Sequence, residues 1–144
     1  MRRVVVTGMG IVSSIGNNCA EVESALRETR SGIVASEEYR ELGFRSQVHG
    51  SIEIDLEAEI DRKLRRFMGA SAAYNYIAMR EAITASGLGE SEISNPRTGL
   101  VVGTGGGSPE NIVAAADLLR QKGVKRVGPY MVTRTMASTN SACL

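Results

Sequence analysis

The chain has 144 residues, and its 17 lysines and arginines against 16 aspartates and glutamates give a formal net charge of +1. This balance argues against a nucleic-acid-binding protein, because such proteins carry a basic surplus that neutralises phosphates. With 42% apolar and 23% charged residues, two cysteines and one histidine, the composition is typical of a globular α/β domain and excludes a disulfide framework, a cysteine metal site and a membrane span.

The first part of the chain begins with a predicted strand. Residues 3–7 are β-branched and end at glycine, which is typical of a buried strand. Asn18 then predicts the N-cap of a helix, with Glu21 as its capping-box partner three residues later. A short helical turn or loop at residues 39–43 and a short strand or extended segment at residues 45–54 are expected to follow.

Helical spacing of apolar residues dominates the middle of the chain. It covers residues 56–67, is interrupted at Gly69, and resumes in an alanine-rich helix that ends near residues 86–87. The many alanines of this second helix indicate close packing against neighbouring elements.

The last part of the chain contains a second predicted strand and further helices. Residues 98–103 resemble a buried strand, and Ser108 with Pro109 predicts the cap and first turn of a helix that stops near Gly123. Another helix begins at residue 135. The order of these elements predicts an α/β fold with a mostly parallel, mixed sheet covered by layers of helices.

A glycine-rich segment follows each of the two predicted strands. Gly8-Met9-Gly10 approximates a dinucleotide-binding fingerprint, but no helix N-terminus follows it directly, so we interpret it as a structural glycine turn. The segment 103–108 lacks the lysine of a phosphate-binding loop. We therefore interpret it as a tight packing site, where the backbone approaches a helix, another chain or an extended ligand.

Basic residues cluster at two places along the chain. They are Arg62, Lys63 and Arg66 in the first cluster, and Lys122, Lys125 and Arg126 in the second. On a helix the first three would share one side, away from the apolar stripe. Such a run most often forms a solvated face, and the functional alternative is docking of an acidic partner by complementary charge.

Cys143 is the nucleophile candidate that we considered and rejected. A reactive cysteine needs a thiolate, and therefore a base, a cation or a helix N-terminus beside it. The only histidine, His49, lies in an extended segment, and no base is close to Cys143 in the sequence. We predict that Cys143 is buried and inert, that Cys19 is structural, and that the chain holds no catalytic residue and no metal site.

Taken in order, the motifs resemble the β-ketoacyl-[acyl-carrier-protein] synthases, the condensing enzymes of fatty acid synthesis. The similarity is carried by residues 5–17, 30–33, 61–62 with 66–68, 103–109, 127–130 and 135–138. The stretch from residue 128 to residue 138 is more like the synthase I branch than the synthase II branch. The resemblance covers the whole chain but only the first part of such an enzyme. We therefore expect residues 1–144 to be the N-terminal part of a β-ketoacyl synthase domain, ending before the nucleophile.

The resemblance implies a thiolase-type fold, of which this chain would form an incomplete N-terminal half. It implies a cytoplasmic, homodimeric acyltransferase without a cofactor, which catalyses decarboxylative Claisen condensation of an acyl thioester with malonyl-carrier protein. In the family a cysteine and two histidines do this chemistry. By their order in the chain, Cys143 and His49 match none of these three residues, so the chain alone is expected to be inactive.

The resemblance also implies a docking role for the basic clusters. Arg62, Lys63 and Arg66, with Lys122 and Lys125 of the other subunit, match positions where the family meets its acidic carrier protein. The family further implies an acyl-chain pocket near Gly106, Gly107 and Met136, with Met136 reaching across the dimer interface.

Three other interpretations stay open on sequence alone. The chain could be a short protein that binds a carrier protein without catalysis, a non-catalytic partner in a condensing heterodimer, or a nucleotide-binding domain. Neither nucleic acid nor a membrane is an expected partner. If the 144 residues were produced alone, we would expect exposed apolar surface and self-association.

Overall fold

The computed structural model describes residues 3–144. Within this range the chain contains short helices around one long helix, and a single two-stranded sheet. In chain order the elements are α1 (Cys19–Arg27), β1 (Ile33–Ala35), α2 (Glu37–Glu41), β2 (Val48–Gly50), α3 (Leu56–Glu59), α4 (Arg62–Arg65), α5 (Ala70–Ser86), α6 (Glu90–Ile93), α7 (Pro109–Lys122), a 3-10 helix (Val124–Arg126), α8 (Tyr130–Thr135) and α9 (Thr139–Ala142).

Side chains at the N-terminus of α1 form the predicted cap. Asn18 is the N-cap, and its Oδ1 accepts a hydrogen bond of 2.9 Å from the backbone N–H of Glu21. The Glu21 carboxylate accepts in turn from the backbone N–H of Asn17 at 2.8 Å, one residue before the N-cap. Two N–H groups that would otherwise lack partners are thus satisfied. This confirms Asn18 as the N-cap, whereas the Glu21 carboxylate binds the N–H of Asn17 and not the N-cap N–H of a capping box.

Glycine and proline set the boundaries of the two longest helices at the positions that the sequence predicts. α5 begins after Gly69 and ends before Gly87, whose φ of 68° lies in the left-handed region that glycine adopts at low cost. α7 begins at Pro109 and ends before Gly123, at a φ of 78°. Both helices are therefore defined by local chemistry.

The helical spacing over residues 56–67 corresponds to two short helices instead of one. Ile60 separates them in an extended conformation (φ −129°, ψ 132°) and has a side chain only 2% exposed. Asp61 then caps α4, because its Oδ1 accepts from the backbone N–H of Lys63 at 2.8 Å. Burial of Ile60 in the core accompanies this break in the helix.

The sheet is an antiparallel pair formed by β1 and β2. Ile33 lies opposite Gly50 and Val34 lies opposite His49. β2 confirms the extended segment predicted at residues 45–54, and α2, between the two strands, corresponds to the helical turn predicted at residues 39–43. β1 has no counterpart among the sequence predictions.

The two buried strands predicted at residues 3–7 and 98–103 are not present in the part of the chain that the structure describes. Both segments are free of strand pairing there, and Val4 and Val101 are 93% and 97% exposed. The prediction is wrong because β-branched residues favour an extended backbone, whereas a strand also requires a neighbour that accepts and donates its ladder hydrogen bonds.

Helix α5 is the element against which the N-terminal segment packs. A Cβ atom on Gly8 would overlap the carbonyl oxygen of Ala82, and one on Gly10 would overlap that of Ala78. Only glycine permits so close an approach of the two backbones. The second apolar segment runs beside the same helix, since Val102 and Gly10 line one narrow cleft with Ala78 and Ala82.

The carboxylate of Glu81, on α5, joins the N-terminal segment to α1. Its Oε2 accepts from the backbone N–H of Ile11 at 2.9 Å, and its Oε1 accepts from that of Cys19 at 2.7 Å. Partial burial opposes ionisation of the carboxyl, but these backbone donors outweigh it and lower the pKa of Glu81. The charge also lies at the positive end of the α1 dipole.

A small core lies beneath α5. Its buried members are Ile60, Met68, Ala72, Ala73 and Ile77. Many large apolar side chains remain exposed, as we expect for residues 1–144 without the rest of the enzyme. They include Val5, Met9, Leu26, Phe44, Leu100 and Val132. The chain thus buries only a small apolar core and leaves much of its apolar surface in contact with solvent.

We predict that Glu81→Gln destabilises the chain at pH 7 and flattens its response to acid. The pKa of Glu81 is lower in the folded chain than the value of about 4.3 in an unfolded chain, so its stabilising effect is complete above about pH 4.3. It is lost as the pH falls through the lower, folded value. We expect a loss of about 1–2 kcal/mol in the free energy of unfolding at pH 7, which shrinks towards zero in acid.

Urea unfolding from pH 3 to pH 7 measures this dependence. Glu23→Gln is the matched control, because Glu23 pairs with Arg27 on an exposed helix surface and contributes at most a few tenths of a kcal/mol. An equal loss at pH 3 and pH 7 for Glu81→Gln would contradict the assignment.

Candidate functional site

Helix α4 carries an exposed basic surface, which we call the basic α4 face and define as Arg62, Lys63 and Arg66. The backbone N–H of Arg66 donates to the carbonyl of Arg62, so these two residues lie one turn apart. All three side chains are exposed, whereas Leu64 between them packs against the core. This agrees with the predicted separation of the charged side from the apolar stripe.

The second basic cluster follows α7. Lys122 is the last residue of α7, and Lys125 and Arg126 lie in the 3-10 helix that follows Gly123. Lys122 and Arg126 line a shallow cleft of about 600 Å³. Within residues 3–144, no side chain of either basic cluster forms an ion pair with a carboxylate. Both surfaces are therefore available to an acidic partner.

Arg66 differs from the other basic residues because two aromatic rings hold its side chain. Its Cζ lies 4.9 Å from the centroid of the Phe67 ring and 5.2 Å from that of the Tyr130 ring. The two rings contact each other edge to face at 5.3 Å. Tyr130 is not among the residues that the sequence predicts for the site, although it lies within residues 127–130, which carry part of the family resemblance.

In the glycine-rich segment before α7, Gly107 is crowded whereas the other glycines, Gly106 among them, are open. A Cβ on Gly107 would overlap the carbonyl oxygen of Thr135 at the end of α8, so the backbone is tightly packed there. A Cβ on Gly106 would meet nothing within 4 Å. Met136 directly follows α8 and is 48% exposed. The structure therefore brings Gly107 and Met136 to one place, and leaves space at Gly106.

Cys143 packs against the core, and no activating group lies beside it within residues 3–144. It contacts the buried cluster beneath α5, and burial raises the pKa of its thiol above the usual value. The adjacent α9 is anchored by buried Asn140, whose Oδ1 accepts from Ser71 Oγ at 2.9 Å and from Asn75 Nδ2 at 2.8 Å. His49 lies in β2, beside the Tyr39 ring. This environment supports an inert thiol.

Cys19 and the Gly8-Met9-Gly10 segment also have structural surroundings. Burial raises the pKa of the Cys19 thiol, and the neighbouring negative charge of Glu81 raises it further. The two glycines face the carbonyl oxygens of α5, so acceptors occupy the space that a pyrophosphate would need. The segment is thus a close-packing contact with α5 and not the glycine turn that the sequence predicts.

Residues 3–144 contain neither a metal-binding cluster nor a membrane-spanning helix. In this range no three histidine, cysteine, aspartate or glutamate side chains are grouped so that they could hold a metal ion. No helix of the same range has the length and apolar character needed to cross a membrane.

Comparison with known proteins identifies similar chains along the full sequence. The family model for the β-ketoacyl synthase N-terminal domain matches residues 1–144. The 3-oxoacyl-[acyl-carrier-protein] synthase 1 of Haemophilus influenzae is 54% identical over 145 residues, and that of Escherichia coli strain K12 is 51% identical over 146 residues. Each alignment covers 100% of this chain and 36% of the relative. The chain thus spans about a third of the length of these relatives.

Solved structures of ketosynthases share the fold. A β-ketoacyl synthase from Burkholderia phymatum has a TM-score of 0.80 and 28% identity, and covers 99% of this chain and 36% of its own. The ishigamide ketosynthase/chain length factor has a TM-score of 0.82 and 27% identity, with 96% and 35% covered. These matches confirm the predicted thiolase-type fold, with this chain as an incomplete N-terminal half.

We predict that the Cys143 thiol reacts slowly with iodoacetamide. Because burial raises its pKa, less thiolate is present near neutral pH than in an exposed cysteine, and alkylation requires the thiolate. In a polypeptide of residues 1–144, a Cys19→Ala variant leaves Cys143 as the single thiol. The alkylation rate of this thiol from pH 7 to pH 10 is compared with that of glutathione. A rate above that of glutathione at pH 7 would show an activated thiol and contradict the assignment.

Proposed function

Because the chain belongs to the β-ketoacyl synthase family through its N-terminal domain, we propose that the whole protein is a 3-oxoacyl-[acyl-carrier-protein] synthase. It transfers an acyl group to a cysteine and condenses it with malonyl-carrier protein, with loss of carbon dioxide, in fatty acid elongation. The observation that carries this proposal is the high sequence identity along all 144 residues. In this proposal the protein acts in the cytoplasm as a homodimer.

The proposal separates the reacting groups from the residues of this chain. The nucleophilic cysteine and the two histidines lie outside residues 1–144, since Cys143 is partly buried with no base beside it among the described residues and His49 lies in a surface strand. Residues 1–144 contribute scaffold, a docking surface and part of the acyl pocket. By themselves they are inactive in condensation.

The docking surface in this proposal comprises the basic α4 face together with Lys122 and Lys125 of the second subunit. The partner in this proposal is the acyl-carrier protein that appears in the names of the relatives. The family resemblance implies that this carrier protein is acidic. All these cations are exposed and free of intramolecular ion pairs in the described range, so docking breaks no existing ion pair. Complementary charge then increases the rate of encounter and fixes the orientation of the carrier.

We predict that simultaneous reversal of Arg62, Lys63 and Arg66 to glutamate raises the KM for the carrier protein by about tenfold or more in the full-length enzyme. Like charges then face the acidic carrier, whereas the reacting groups are unchanged. Steady-state kinetics at low and high ionic strength measure the effect, and salt should reduce the difference from the wild type.

The matched control reverses three cations on other surfaces, Arg27, Arg40 and Arg97, and so changes the net charge equally. Its KM for the carrier protein should stay close to that of the wild type. An unchanged KM in the α4 variant, or an equal rise in both variants, would overturn the docking proposal.

The acyl pocket in this proposal includes Gly106, Gly107 and Met136. It is supported by the open space at Gly106 and by the exposed Met136 side chain beside the crowded Gly107. An alkyl chain can approach backbone closely where side chains are absent. The crowding at Gly107 also determines which substitution can test the pocket.

We predict that Gly106→Val shortens the range of acyl chains accepted by the full-length enzyme, because its side chain enters open space without moving the backbone. Gly107→Ala should instead destabilise the protein by about 1–3 kcal/mol, since its Cβ overlaps the Thr135 carbonyl. Product chain length and thermal unfolding distinguish the two effects. A Gly106→Val enzyme with the wild-type chain-length profile would contradict the pocket assignment.

A further inference from the structure

The side chain of Arg66 is held in one direction by two rings that come from separate parts of the chain. Phe67 follows α4, whereas Tyr130 begins α8, and the two rings meet edge to face at an interplanar angle of 83°. The guanidinium lies within about 5 Å of both ring centroids. We call these two rings the aromatic shelf. A guanidinium over aromatic rings is attracted by their quadrupoles.

Helix α8, which carries Tyr130, also binds the backbone of Arg66. Arg134, near the end of α8, donates from Nε to the carbonyl oxygen of Arg66 at 2.9 Å. α8 therefore contacts Arg66 at two points, through the Tyr130 ring and through the Arg134 guanidinium. Position and direction of the Arg66 side chain both depend on an element distant in sequence.

Arg62 and Lys63 have no comparable support. Within residues 3–144 neither side chain stacks on a ring or pairs with a carboxylate. Long basic side chains lose much rotamer freedom when they are fixed in a complex, and a side chain already held loses less. Arg66 is thus the preoriented member of the basic α4 face.

We propose that Tyr130 is a positioning residue for carrier-protein docking: with Phe67 it holds the Arg66 guanidinium outward, ready to meet an acidic side chain of the carrier. This inference rests on the proposed function of the basic α4 face and adds a residue from a second element to it. The ring face carries the effect, because the Arg66 Cζ lies 5.2 Å from the centroid of the Tyr130 ring.

The test compares two substitutions of Tyr130 in the full-length enzyme. Tyr130→Phe keeps the ring and should retain the wild-type KM for the carrier protein. Tyr130→Leu fills similar space without a ring, and should raise that KM about two- to fivefold, more than it changes kcat. Phe67→Leu should act in the same direction, and supplies a second variant if Tyr130→Leu is poorly folded.

Two controls separate positioning from general stability. Tyr39 stacks on Phe44 with ring centroids 5.1 Å apart, and its contacts lie outside the basic α4 face, so Tyr39→Leu should leave the KM unchanged. Thermal unfolding of each variant reports any loss of stability. In an Arg66→Ala background, Tyr130→Leu should cause no further rise in KM, because the side chain that it positions is gone.

Each outcome identifies which statement fails. If Arg66→Ala leaves the carrier-protein KM unchanged, the proposed docking function is wrong and the inference falls with it. If Arg66→Ala raises the KM but Tyr130→Leu does not, or if Tyr130→Phe is as impaired as Tyr130→Leu, docking stands and the positioning role of Tyr130 is overturned. An additive effect in the double variant would also overturn it.

Discussion

The close packing of the N-terminal segment on helix α5 is the constraint on which the rest of the structure depends. Gly8 and Gly10 lie against the carbonyl oxygens of Ala82 and Ala78. On the same helix, the Glu81 carboxylate accepts hydrogen bonds from the backbone N–H groups of Ile11 and Cys19. This side chain thus supplies acceptors to a segment that has no paired strand within residues 3–144. Small residues permit the approach, and the charge fixes its position along the helix.

Helix ends could be predicted from the sequence because the signals that set them are local. Asn18 and Glu21 are three residues apart, and the left-handed glycine after α5 follows its last residue directly. Each signal acts through a hydrogen bond or a backbone conformation within one turn. The break at Ile60 could not be predicted in this way, because it accompanies burial of that side chain in a core assembled from distant residues.

The strand predictions failed because pairing is not a local property. Residues 3–7 and 98–103 have the composition of strands, and both lie beside α5, but neither has a hydrogen-bonding neighbour in the described range. The pair that does form, β1 and β2, consists of exposed residues. The two strands are separated in sequence by α2 and pair in antiparallel register. Composition therefore indicated the segment that contains β2 but missed β1, and it did not indicate which segments pair.

The candidate site divides along the same boundary between local and distant information. The basic α4 face could be predicted, because Arg62 and Arg66 are one helical turn apart. The aromatic shelf could not, because Tyr130 reaches Arg66 only through the docking of α8. The other end of α8 closes on Gly107 through the Thr135 carbonyl. One short helix thus contacts both proposed sites, so a shift of α8 that loosens Gly107 must also move the ring beneath Arg66.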